Sequence, residues 1–131
     1  MRKLTDHIVN PANDKITIEV HGEPSSGNAN HLYAVYGFHT ANNPAADSFT
    51  KDETSLKVLF QNGPINEVGV NGVTQEVLLA IVADRLRSFQ DGPYKCKENA
   101  CALTHIEEAM HWLQQRTIAR MRRGVEGTHT V

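Results

Sequence analysis

Four arginines, Arg116, Arg120, Arg122 and Arg123, fall within eight residues of the stretch QQRTIARMRRGVEG, and no acid interrupts them before Glu126. The chain around them is slightly acidic: 131 residues carry 13 Lys and Arg against 15 Asp and Glu, a formal net charge of −2. A long polyanion such as DNA or RNA needs a broad basic surface. The anion expected here is therefore small and locally held. Arg116, Arg120 and Arg123 follow one another at steps of four and three, so they share one helical face, and Arg122 points elsewhere. Two readings of this face stay open. The arginines can complement the negative end of a helix dipole, at about 0.3–1 kcal/mol per charge. Alternatively, their planar forks can grip phosphate oxygens.

A second group of residues suits a nucleotide. Phe89 offers a ring on which a base can stack. Asn99 offers an amide that pairs with an adenine edge. A stacking ring, an amide and a phosphate clamp make up the parts of a nucleotide site. Asn99 and Arg116 are 17 residues apart, about 25 Å if both lie on one helix. No small ligand spans that within one chain. If these groups meet at one ligand, they come from different subunits packed along this helix.

Other chemistry finds little support. Of seven histidines, His105 and His111 are about 120° apart on a helix, and neither has a carboxylate at ligand spacing, so no metal is expected. Cys96 and Cys101 form no C-x-x-C pair and read as reduced thiols of a cytosolic protein. Glu107 and Glu108 are adjacent and point apart. The glycines near Gly63, Gly69 and Gly72 lack the Lys-Ser/Thr of a phosphate loop. No nucleophile has a recognisable partner spacing. Nothing in these residues points to an enzyme, and no cofactor is expected. No run of 18 apolar residues exists, so no membrane span is expected. Met1 to Asn10 lacks the apolar core of a secretory leader.

The elements that must position these residues change character along the chain. Residues 1–62 read as strands and polar loops. Lys15 to Val20 and Ser55 to Gln61 alternate, and His31 to Phe38 is aromatic and β-branched. Three or four strands should form a small antiparallel sheet. Residues 63–131 read as a helical hairpin. Leu78, Ile81, Val82 and Leu86 mark a helix from Thr74 to Gln90, stopped by Asp91-Gly92-Pro93. Leu103, Ile106, Met110 and Leu113 mark a second helix from about Lys97 to Arg123, ended by Gly124. The fold class is α+β: a small N-terminal antiparallel sheet, then an antiparallel hairpin with a long second helix, together one compact domain. The second helix overhangs the first from about Gln114, and Ile118 and Met121 on the overhang need cover from the sheet or from a second copy. Continuing its buried stripe reaches Thr117 and Arg120, polar residues that need acceptors wherever they are covered.

Residues 59–131 also resemble a known family. The runs Glu98-Asn99-Ala100, Ala102-Leu103-Thr104, Glu107-Glu108-Ala109, Trp112-Leu113 and Gln115-Arg116-Thr117 resemble the helical hairpin of phage anti-defence nucleotide sponges, the family that includes anti-CBASS sponges and Thoeris anti-defence proteins. The β-rich first half favours the Thoeris branch. The resemblance implies a protein that sequesters cyclic immune signals without cleaving them: glycocyclic ADP-ribose and other cyclic ADP-ribose isomers, and cyclic di- or trinucleotides of CBASS. It implies a site between protomers of a homo-oligomer, dimers assembled into a hexamer, working in the cytoplasm of the infected bacterial host. Carried over by motif, the ligand contacts are Phe89, Asn99, Arg116 and Arg120; helical spacing adds Arg123. The alternative is a phage structural or nucleic-acid-binding module.

Overall fold

A computed structural model describes residues 1–9, 11 and 13–131. The chain divides into two compact units, Met1–Asn62 and Gly63–Val131.

The first unit is a four-stranded antiparallel meander in the order β1-β2-β3-β4, formed by β1 (Arg2–Leu4), β2 (Thr17–His21), β3 (Leu32–Tyr36) and β4 (Ser55–Leu59). β3 and β4 lie inside the expected segments, and β2 overlaps its segment and runs one residue past it, to His21. The fourth, β1, is too short to show alternation: three residues, two of them charged, pair at the edge with Leu4 opposite Ile18. Pairing of Ile18 with Val35 and Val20 with Tyr33, then of Tyr33 with Val58 and Val35 with Leu56, puts these side chains on one face, because neighbours across strands share a side. Val20 is buried at the centre of this face, and Tyr33 meets Phe60 edge-on with ring centroids 5.5 Å apart. Leu56 shares this side and is nevertheless exposed, because β4 is an edge strand.

The long connection between β3 and β4 is held by side chains instead of a ladder. Asp47 Oδ1 accepts from the amides of Phe49 and Thr50, at 2.9 and 3.0 Å, and from the Thr50 hydroxyl at 3.0 Å. The Thr40 hydroxyl donates to the Thr50 carbonyl oxygen and accepts from the Glu53 amide at 2.8 Å. The loop so tied displays Phe49 to solvent at 85% exposure.

In the second unit a short helix, α1 (Ile65–Val68), precedes α2 (Gln75–Gln90) and α3 (Lys97–Arg122). α1 lies between Gly63 and Gly69, and its four residues are too few to show helical periodicity. The two long helices begin and end within a residue or so of the expected limits. They pack as a hairpin joined by residues 91–96, and Ala83 is its one fully buried hydrophobic residue among those described. Arg87 Nη2 reaches Glu107 Oε2 across the pair at 3.0 Å. The turn is tied by the Cys96 amide, which donates to Gln90 Oε1 at 3.1 Å. Cys96 then caps α3, its Sγ accepting from the Asn99 amide at 3.4 Å.

The β3–β4 loop should be acid-sensitive. Hydrogen bonds from the amide of Phe49, the hydroxyl of Thr50 and the amide of Thr50 hold the Asp47 carboxyl below its ordinary value. A depressed carboxylate contributes stability above its unfolded pKa and loses it as pH falls through the folded one. Amide exchange at Phe49 and Thr50 should accelerate over that acidic window in the wild type. In Asp47→Asn, which keeps an acceptor without a titrating charge, the acceleration should be absent.

Candidate functional site at the two ends of the hairpin

The expected site residues occupy opposite ends of α3. Phe89 lies in the last turn of α2 and Asn99 in the first turn of α3, so the hairpin turn holds both. Phe89 is exposed. Arg85, one turn earlier, sets its Cζ 5.3 Å from the centre of the Phe89 ring. Tyr94, from the turn, meets the same ring edge-on with centroids 6.4 Å apart and is itself 75% exposed. Neither Arg85 nor Tyr94 was marked as a site residue from the sequence. The i to i+4 spacing of Arg85 and Phe89 was the signal that could have found the first. Asn99 is half-buried.

At the other end Arg116 is exposed on α3, and the arginines beyond it are not all alike. Arg120 is 8% exposed, the one buried charged residue among those described. Its Nε donates to Glu126 Oε2 at 3.2 Å. Its Nη1 donates to the Thr130 carbonyl at 2.6 Å, and its Nη2 to the carbonyls of Val125 and Thr128 at 2.9 and 3.2 Å. Arg123 Nη2 donates to the Val131 carbonyl at 2.6 Å. The C-terminal tail thus turns back on the helix that it leaves.

Local backbone chemistry makes this reversal. Gly124 takes φ of 73°, its amide donates to the Met121 carbonyl at 3.0 Å, and the Val125 amide donates to the Arg120 carbonyl at 3.0 Å. That is the paired 5→2 and 6→1 bonding of a left-handed glycine helix end. Farther on, the Asn66 amide of α1 donates to the Gly127 carbonyl at 3.1 Å, and His129 Nδ1 lies 3.0 Å from Glu67 Oε1. Gly127 has φ of 81°, and a Cβ there would stand 3.0 Å from Asn66 Oδ1. Both constraints favour glycine.

The buried stripe of α3 therefore does extend to Arg120, and Arg120 does have acceptors. Its cover is the chain's own tail, which the sequence reading had not considered. Met121 remains 64% exposed and Ile118 is exposed as well. The structure places Arg120 and Arg123 on tail carbonyls, away from the open fork expected of a phosphate clamp. Arg116 is the exposed arginine of the expected trio whose guanidinium makes no such tail bond among the described contacts.

A strand-led helical hairpin with an aromatic and amide turn at one end and arginines at the other defines a hairpin domain. The family described as Acb2/Tad1, hairpin domain, matches residues 52–117, half of the chain. The chain belongs to this family. Thoeris anti-defense 1 of Bacillus phage SBSphiJ7 is 54% identical over 72 residues, 55% of this chain and 51% of that relative. The match spans about half the length of the relative. Phe89, Asn99 and Arg116 fall inside the family match, and Arg120 and Arg123 lie beyond its last residue.

The tail should depend on Arg120. Arg120→Met keeps the stem and removes four donor contacts, and hydrogen bonds from a charged group are worth about 1.5–3 kcal/mol. The variant should lose about 1–3 kcal/mol in urea unfolding, since freed carbonyls can rehydrate. Exchange at the Asn66 amide should rise first. An unchanged Asn66 exchange rate in the variant would show that the tail is held by something else.

Proposed function

We propose that this chain is a phage anti-defence protein that binds and sequesters cyclic nucleotide immune signals without cleaving them. Cyclic ADP-ribose isomers such as glycocyclic ADP-ribose are the first ligands to test, and CBASS cyclic oligonucleotides the second. The observation that carries the reading is the hairpin itself: its family match covers Phe89, Asn99 and Arg116, and the relative that shares it is named for action against Thoeris. The protein acts by mass action in the host cytoplasm. No helix among the described residues is long and apolar enough to cross a membrane.

The ligand site lies between protomers. Phe89 and Asn99 stack and pair with the base from one chain, and Arg116 of another chain meets the phosphates. The separation along α3 supports this, since 17 residues of helix span about 25 Å. Arg120 joins the phosphate contacts only where the tail gives way, since its donors are otherwise occupied, whereas Arg123 is exposed and bonds the tail through Nη2 alone. The homo-oligomer is built on hairpin faces that one chain leaves uncovered: Trp112 is 72% exposed, and Ile81, Ile118 and Met121 are exposed with it. Large apolar residues left exposed on more than one side of a helical pair are available to other copies. Dimers are the minimal unit, with a hexamer as the expected assembly. Light scattering at micromolar concentration should return a multiple of the 14.5 kDa chain mass. A monomer mass counts against the shared site.

Calorimetry tests the binding reading. Phe89→Ala and Asn99→Ala should each weaken binding of cyclic ADP-ribose isomers tenfold or more, as expected from loss of stacking worth about 1–3 kcal/mol. Ligand recovered after denaturing the complex should be intact. Mixing Asn99→Ala with Arg116→Ala chains, with exchange verified, should restore a fraction of sites, because some interfaces then pair two wild-type halves. A nucleic-acid-binding module would instead show salt-dependent duplex binding and no nucleotide affinity.

A further inference from the structure

Phe89 is not a bare platform. Its ring carries the guanidinium of Arg85 at 5.3 Å. Arg87, two residues farther along α2, is committed to Glu107 across the hairpin, whereas Arg85 is exposed and rests on the ring. A cation on an exposed ring is held weakly, because water competes for its charge. A stacked base gains more from the same ring and displaces it.

We propose that Arg85 is a specificity-determining residue of this site: it covers the Phe89 ring when the site is empty and closes over the ligand's base when the site is filled. The inference rests on the reading that Phe89 stacks a base. The geometry permits it with little movement. A planar base between ring and guanidinium needs two contact gaps of about 3.5 Å, or about 7 Å in all. From 5.3 Å, Arg85 must withdraw by about 2 Å, an adjustment that a long flexible stem makes without moving α2. The guanidinium plane then stacks on the base, as arginine does on unpaired bases. Its edge N–H groups stay free for a phosphate of the same ligand. The ligand class that fits is a nucleotide with base and phosphate close together. A nucleoside takes the stack without the fork. Tyr94 meets the same ring edge-on.

The test is calorimetry of cyclic ADP-ribose and of adenosine, on wild type, Arg85→Met, Arg85→Lys, Phe89→Ala and the Arg85→Met/Phe89→Ala double variant, each checked for its fold by circular dichroism. Arg85 is exposed, so its variants should fold. Arg85→Met should weaken cyclic ADP-ribose about tenfold, in the range of a cation stacked on a partly desolvated ring system. Arg85→Lys should recover little of this, since it keeps charge but loses plane and fork. Adenosine should lose less. The effect of Arg85→Met should shrink in the Phe89→Ala background, because the two residues hold one base. Wild-type or tighter affinity in Arg85→Met, with Phe89→Ala still impaired, overturns the role of Arg85 and leaves base stacking intact. Unimpaired binding by Phe89→Ala removes base stacking, and the role of Arg85 falls with it. Equal losses for adenosine and cyclic ADP-ribose overturn the phosphate contact.

Discussion

The buried guanidinium of Arg120 is the constraint on which the C-terminal half of the hairpin unit depends. α3 has 26 residues against 16 in α2, so its last turns run past the partner helix. A charge placed under cover there must be matched, since an unpaired buried charge costs several kcal/mol. The tail matches it with three backbone carbonyls and the Glu126 carboxylate. Lysine could not do the same, because its three donors sit on one nitrogen, whereas the guanidinium meets four acceptor groups from three nitrogens. Once the tail is drawn in, its later residues meet α1 at Asn66 and Glu67. A single charged side chain thus organises three segments that have little apolar reason to meet.

The rest of the unit is thinly packed by comparison. Two helices bury a stripe, not a core, and Ala83 is the hydrophobic residue that they enclose completely. Leu103, Ile106, Met110 and Leu113 are only half-buried. Trp112, Met121 and Ile81 face solvent. In the proposed homo-oligomer, apolar area covered by another copy would add to the little that the hairpin buries alone. The same hairpin holds its two polar clusters apart along a rigid rod. Association along the rod, as proposed, is what would bring them together at one ligand.

Chemistry at the turn is of another kind. Gln90 and Cys96 close the connection through a backbone amide and a thiol cap. These contacts fix the ends of α2 and α3 without covering the surface of Phe89. The ring is left to an exposed arginine and an exposed tyrosine. Sites that must admit a ligand commonly have such surroundings: a fixed frame and side chains that can yield.

The amino-acid sequence by itself determined the elements. Periods of two and of three to four residues, with Gly92-Pro93 and Gly124 as stops, set three strands, both long helices and the α+β class, because these signals act within a few residues of one another. It also carried the family, through runs on α3 that the match over residues 52–117 includes. Short pieces were beyond its reach. β1 exists only through pairing with β2, and α1 only as a single turn beside the tail. The fate of the arginines was likewise decided by tertiary structure. Arg116, Arg120 and Arg123 share one helical face by spacing, yet a reversal at Gly124 covers Arg120 and engages Arg123 while leaving Arg116 exposed. Helical periodicity states which residues lie side by side. Only the path of the chain afterwards states which of them are covered, because burial depends on segments that return from elsewhere in the fold.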